Sequence, residues 1–481
     1  MFAKLPTELL AILILSFLFR ALSSSGDLWL DEAWSLFYAL QATTPLTSAN
    51  VIELLRLDNT HPVNSLWMAA IGDGAPTILY RILSVILGTA SIFIAWRIGL
   101  QRNRASAIIL ALLFAVLYPF VFHGSEARGY GPMLFAILLM FYHSERWLAT
   151  GTQRHADWVA YGFALGLVSH LTVMIAGVST AVWYIVNYIS RQEKSTFIGG
   201  IKYLFSGFGF NRVPPAICIV FALCSTIPLL FFPIVGGALT RNIAWDALGD
   251  MMSLTFAAGV TIDGTIAAFF YFAFGFMLIW HWRNTQNRNY AYFLTAIILL
   301  PFIVVISNVL EWPQPRYFLP SFVAFVLLFG MVIGDVVGGS RLAARAGVSL
   351  LVAVMALSAV QVSALIRHGR GDPTAALTHM IAHGSITDPI RVGGYHDFQV
   401  SLMLNYAAGR IGAQDRFLYV PRQQIGQNEE GAIDWWIDRR VPPLETLVVP
   451  QSDPTISVVL DSAFGTEAPA GIPWVLYRAA P

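Results

Sequence analysis

Charge is what this 481-residue chain has least of: Asp, Glu, Lys and Arg make up 12% of it, against roughly 25% in soluble proteins. Together with a hydrophobic content of 56%, that deficit excludes an ordinary soluble domain and a disordered chain. A net charge of +1 and the lack of any Lys- or Arg-rich block argue against nucleic acid as the partner, because binding a phosphate backbone needs a concentrated basic face. Cysteine is almost missing, with Cys218 and Cys224 in one predicted helix. They are roughly 9 Å apart along its axis, too far for a disulfide. No disulfide framework exists, and without a CxxC or Cys/His cluster a structural zinc site is not expected. Fixed-period repeats and low-complexity tracts are absent as well.

What is there is apolar sequence in long runs. Windows of about 20 apolar residues mark membrane spans, and they predict about 11 transmembrane helices near 7–24, 77–98, 105–122, 132–149, 157–170, 172–190, 214–233, 264–282, 290–308, 317–337 and 346–366. Met1 to Gly26 has the layout of a signal peptide, but Arg20 interrupts the run where a retained helix meets the far interface, so the expectation is an uncleaved first span. Basic residues sort to one set of loops: Lys4, Arg102, Arg104, Arg146, Arg154, Arg191, Lys194, Lys202, Arg212, Arg283, Arg288, Arg341 and Arg345. Those loops are expected to be cytoplasmic. The reading is a multi-pass protein of the plasma (inner) membrane with its amino terminus cytoplasmic and its tail extracytoplasmic.

Domain 1–366 is thus an all-α polytopic membrane domain, and 367–481 a small extracytoplasmic α/β domain. In the tail, strand-like runs at Ile390–Val392, Phe417–Val420, Thr455–Leu460 and Trp474–Tyr477 alternate with helical patterns at Asp397–Ala408 and Ala432–Arg439. The outer loop at 25–76 is too long for a connector. Trp34, Phe37, Tyr38 and then Val51, Leu54, Leu55 recur at helical spacing, which predicts two amphipathic helices along the membrane surface.

The chemistry-bearing residues lie on the outward side. Asp31 and Glu32 follow the first span, where a carboxylate is costly unless paired or functional. A low-dielectric setting raises its proton affinity and suits it to act as a general base; the plainer alternative is a loop acid that caps the next helix. Consecutive helical side chains point about 100° apart, so only one of the two faces a given substrate atom. His61-Pro62 and His170 have two open roles, as ligands for a divalent cation with Asp31 or Glu32 or as hydrogen-bonded histidines; a metal or cofactor is therefore left unassigned. Glu126-Ala127-Arg128-Gly129-Tyr130 reads either as an internal Glu–Arg pair or as an arginine steadied by Tyr130 with its planar fork open to phosphate. Arg316-Tyr317, in a proline-stiffened approach to the tenth span, repeats that logic, with snorkelling to headgroups as the competing account. Two arginines and a carboxylate pair on one side suit a lipid-linked phosphate, whose tail stays in the bilayer while its head reaches the rim.

These motifs, in this order, resemble the C-type (GT-C) superfamily of integral-membrane glycosyltransferases, in particular the bacterial relatives of dolichyl-phosphate-mannose protein mannosyltransferases and the lipid A aminoarabinose transferases. The likeness rests on Leu28 to Ala33, His61-Pro62, Ser125 to Tyr130, His170 and Arg316 to Pro320, and covers roughly residues 1–340. It implies transfer of a sugar from a polyprenyl-phosphate donor to an acceptor hydroxyl of a lipid, glycan or protein outside the cytoplasm. It makes Asp31 the catalytic base, Glu32 its neighbour in acceptor or cation positioning, Arg128 and Arg316 the holders of the departing phosphate, and His61 and His170 part of the cavity wall. Two departures are visible: relatives often carry a second proline where this chain has Val63, and a proline where it has Gly129. A transporter or flippase of lipid-linked glycans is the alternative, although carriers often show internal repeats and broken helices at mid-bilayer. A sensor whose tail binds an outside ligand is the third reading.

Overall fold

Pro119 breaks the third apolar run, and the break sets the loop on which the candidate site is built. In this computed structural model the described residues are 5–42, 61–191, 196–231, 264–284, 288–307, 315–384, 388–426, 432–439, 445–448, 457–467 and 473–479. They form two compact units. The first holds the described residues of Met1–Ala21, Thr47–Trp67 and Arg81–Val362; the second holds those of Leu22–Leu46, Met68–Tyr80 and Ser363–Pro481. Parts of the long outer loop therefore fold with the tail.

In the first unit the run expected as one span over 105–122 is two helices, Arg104–Val116 and Tyr118–His123, with Leu117 extended between them. A proline lacks the amide hydrogen and its ring clashes with the carbonyl four residues back, so backbone groups at the break lose their helical partners. Ser358 donates to the Val116 carbonyl and accepts the Tyr118 amide. Arg20 is fully buried and donates to the carbonyls of Phe114, Ala115 and Phe120. Gly88 and Gly124 leave the room: a Cβ on either would meet the Arg20 Nε, at 2.9 and 2.6 Å. Arg20 is thus a brace inside the unit.

The helix Tyr130–Thr150 turns back at Gly151 (φ 66°), where the left-handed conformation suits glycine, and packs on Gln153–Ser169. Gly330 and Gly334 of Leu319–Val337 lie against Leu110 and Ser106 of Arg104–Val116; small residues let two helices approach closely. A π turn, Thr295–Leu299, interrupts the apolar run after Tyr290. Among the described residues, four helical stretches are long and apolar enough to cross a membrane: Thr77–Leu100, Leu171–Arg191, Arg316–Val337 and Arg341–His383. The chain is a multi-pass membrane protein.

In the second unit a six-stranded sheet runs β2-β1-β3-β6-β5-β4, with β1 Ile390–Gly394, β2 Phe417–Tyr419, β3 Trp435–Asp438, β4 Thr446–Val448, β5 Ser457–Phe464 and β6 Trp474–Ala479. β1 pairs in parallel with β2 and β3, and the remaining pairings are antiparallel. The helix Asp397–Arg410 connects β1 to β2 and packs on both; Pro373–His383 packs on β5 and β6. The helical pattern expected over Ala432–Arg439 is wrong, because Trp435–Asp438 is the buried strand β3. All four of its residues are buried, so no alternation was visible and the run of large apolar residues was open to either reading.

Of the two helices expected along the membrane surface, the one containing Trp34 exists as Leu30–Ala42. Its Trp34 ring packs edge-on against Phe398, 4.8 Å between centroids, so the tail covers part of its aromatic face. Val51, Leu54 and Leu55 lie outside the described residues.

Candidate active site

In the second unit, Asp31 and Glu32 occupy the first turn of Leu30–Ala42. Glu32 is fully buried, and its Oε2 accepts the Trp29 amide at 3.2 Å. That is the backward arm of a capping box, the side chain of the third helical residue meeting the amide of the cap residue. Asp31 keeps 7% of its surface, and its carbonyl accepts the Ser35 hydroxyl. Of the pair, Glu32 meets the helix-start amide through its side chain. The tail secures this stretch: Tyr406 Oη accepts the Leu28 amide at 2.9 Å, and Asp27 accepts the Thr374 amide at 3.0 Å.

In the first unit four stretches distant in sequence converge. Arg128 is buried and donates through Nε and Nη2 to His61 Nε2 at 3.2 and 2.8 Å. His61 stacks on His170 with centroids 4.8 Å apart, Tyr130 lies 4.4 Å from His170, and Tyr317 is at 6.3 Å. The guanidinium of Arg128 sits over the Tyr130 ring at 5.4 Å, and that of Arg316 over Tyr317 at 5.8 Å. Each arginine thus has the aromatic support its sequence neighbour suggested. The plainer Glu126–Arg128 pairing does not hold, since the Glu126 carboxylate takes His123 Nδ1 at 2.7 Å instead. His123 carries no motif of its own; its spacing of three from Glu126 is the signal in the sequence.

Both histidines are hydrogen-bonded. His61 Nε2 is an acceptor for Arg128, and His170 Nδ1 accepts the Thr172 amide and hydroxyl. Among the described residues no group of three His, Cys, Asp or Glu side chains comes together as a metal-ligand set. Burial first, then the charge of Arg128, holds His61 and His170 well below the ordinary 6.5, with Arg316 and neighbouring histidines adding to it; a hydrogen bond to the Ser169 backbone opposes the shift at His61. Because the unfolded chain takes up these protons near pH 6.5 and the folded one does not, stability is full above that pH and declines below it. The thermal midpoint of the solubilised protein is expected to fall between pH 6.5 and 5, each histidine contributing up to ~1.4 kcal/mol per pH unit. His170→Asn, whose amide oxygen replaces the Nδ1 acceptor, is expected to flatten that slope in a melting series.

Gly129 explains a departure from the family pattern. A Cβ there would fall on the Ser169 carbonyl oxygen and come within 3.2 Å of the His61 Cβ, so neither alanine nor proline fits without backbone movement. Gly129→Ala is expected to cost about 1–3 kcal/mol, as overpacking does, and to be read as a lowered melting temperature. An unchanged melt would show that this close approach does not matter.

No family model and no curated protein matches the sequence. Among solved structures, the oligosaccharyltransferase of Archaeoglobus fulgidus in its apo form aligns with TM-score 0.52 at 11% identity, over 89% of this chain and 69% of that one. Structures of the same protein tethered to an acceptor peptide containing the NVT sequon, and in complex with zinc and sulfate, align with TM-score 0.48 at 12% and 10% identity, over 89% and 90% of this chain and 68% of each. The chain therefore shares its fold with that archaeal oligosaccharyltransferase.

Proposed function

We propose that the protein transfers a sugar from a polyprenyl-phosphate-linked donor to an acceptor hydroxyl on a lipid, glycan or protein, at the extracytoplasmic face. The observation that carries this reading is the buried Arg128, fixed on a neutral His61 beside Tyr130 in a chain with a glycosyltransferase fold. A guanidinium held in that way is a preorganised seat for phosphate. The charge bias of the loops supports the sidedness, with the amino terminus in the cytoplasm and the tail outside. The eleven-span count and a boundary near Arg367 belong to the same reading.

The reaction is a single displacement. The acceptor oxygen attacks the anomeric carbon as its proton passes to the Asp31 carboxylate, and the bond from that carbon to the phosphate oxygen breaks, its electron pair leaving with the phosphate. Configuration inverts. Arg128 and Arg316 meet the departing charge, Tyr130 and Tyr317 support the two guanidinium groups, and His61 and His170 form the wall. No general acid is required, because the leaving phosphate is stabilised by cations. Within the superfamily, the motif order favours the bacterial relatives of dolichyl-phosphate-mannose protein mannosyltransferases and lipid A aminoarabinose transferases, and the fold likeness adds oligosaccharyltransferase; sugar and acceptor follow from which of these holds.

Mass spectrometry of envelope lipids, glycans and glycoproteins from a deletion strain is expected to reveal one missing glycosyl group. Liposomes carrying the purified protein and a labelled polyprenyl-phosphate sugar separate this from a flippase: movement of the lipid without covalent transfer would overturn the enzyme.

A further inference from the structure

His123 and Glu126 stand beside the phosphate seat, and no role in the reaction as set out above uses them. His123 ends the short helix Tyr118–His123, and Glu126 lies three residues on in the loop that carries Arg128. Glu126 has no exposed side-chain surface, whereas His123 keeps 11% of its own. The carboxylate takes Nδ1 through Oε1 at 2.7 Å, while Oε2 has no hydrogen-bond partner among the described residues. The ring is held from the other side by Tyr130, 4.6 Å between centroids, and by Phe122 at 5.0 Å. With Nδ1 committed to Glu126, Nε2 is the ring nitrogen with no hydrogen bond among the described residues.

The chemistry of the leaving group makes such a donor useful. A departing phosphomonoester carries close to two negative charges on three outer oxygens. Arg128 spends its Nε and one terminal nitrogen on His61, so part of its fork is already occupied. A carboxylate behind an imidazole fixes its orientation.

Building on the proposed function, we infer that His123 is a further phosphate-contacting residue of this site, meeting an oxygen of the lipid-linked phosphate with Nε2, with Glu126 as the positioning residue that fixes its ring. No covalent step is assigned to it; it holds charge as the bond to the sugar breaks.

The test uses the full-length protein in detergent and farnesyl phosphate as the probe, with farnesol as the control for the tail. Asparagine places its amide nitrogen near where Nδ1 lies, and glutamine places one near Nε2. A phosphate contact through Nε2 predicts that His123→Gln binds within a few-fold of wild type, while His123→Asn and His123→Phe bind about 10- to 100-fold more weakly, the loss expected for a hydrogen bond to a charged group. Glu126→Gln is expected to weaken binding several-fold with an unchanged melting temperature. Should His123→Asn retain affinity and His123→Gln lose it, His123 acts only as a structural partner of Glu126 and the inference fails. It fails equally if His123→Phe binds like wild type, a variant that keeps the packing on Tyr130 and so tests the contact even if the asparagine variant does not fold. Wild-type protein that binds farnesyl phosphate no better than farnesol overturns the proposed function itself, and this inference with it.

Discussion

Asp31→Asn is expected to lower the rate of sugar transfer by about 10²- to 10⁴-fold, the range over which a positioned general base acts. The substitution keeps shape and hydrogen-bonding capacity while removing the ability to take a proton. Asparagine is also tolerated in the first helical turn near the cap, so Leu30–Ala42 is expected to stay formed. The measurement is single-turnover transfer from a synthetic polyprenyl-phosphate sugar, alongside a melting curve and a membrane-fraction assay. Loss of transfer with an unchanged melt assigns the effect to chemistry. Glu32→Gln is the internal comparison: an amide oxygen can still accept the Trp29 amide, so the capping arm survives and the rate should fall far less. If Asp31→Asn turns over at the wild-type rate, Asp31 is not the base.

Arg128→Lys is the second large effect. Lysine retains the charge but cannot make the paired contacts that Arg128 makes to His61, and it offers a point charge where the site has a planar fork. We expect kcat/KM to fall by about 10- to 100-fold, corresponding to the loss of charge-assisted hydrogen bonds to the phosphate. The effect should lie mainly in kcat, because the charge on the phosphate grows as the bond to the sugar breaks. A modest drop in melting temperature is also expected, since His61 Nε2 loses two donors. Wild-type kinetics in this variant would remove Arg128 from the phosphate seat.

How much of this was legible beforehand differs by element. The long apolar helices, Thr77–Leu100 and Arg316–Val337 among them, were visible because bilayer thickness demands a run of a given length. Strands β1, β2, β5 and β6 were visible as short apolar runs between turn residues, whereas Trp435–Asp438 was misassigned because a strand buried on both faces shows no period of two. Arg128, His61, His170, Arg316 and their tyrosines stood out because a cation or imidazole in a membrane protein is expensive enough to need a reason, and His61, Arg128, Tyr130, His170 and Tyr317 do come together. His123 was missed for the opposite cause: beside Glu126 and Arg128 it looked like part of an ordinary polar loop, and only the ring contacts to Tyr130 and the carboxylate set it apart. Gly129 was read as a departure from a pattern; the Ser169 carbonyl facing it makes the glycine a requirement. The capping bond of Glu32 was likewise hidden, because adjacent acids look alike until one is seen meeting a helix-start amide.

Arg20 carries a consequence for how the protein is made. Taking a guanidinium out of water is costly unless its donors are met, and the carbonyls that meet this one are encoded 94 to 100 residues later. The amino-terminal helix is expected to reach its final packing only once residues through Phe120 are in place. Biogenesis of the amino-terminal region is therefore a joint event, in which an early segment is secured by a late one.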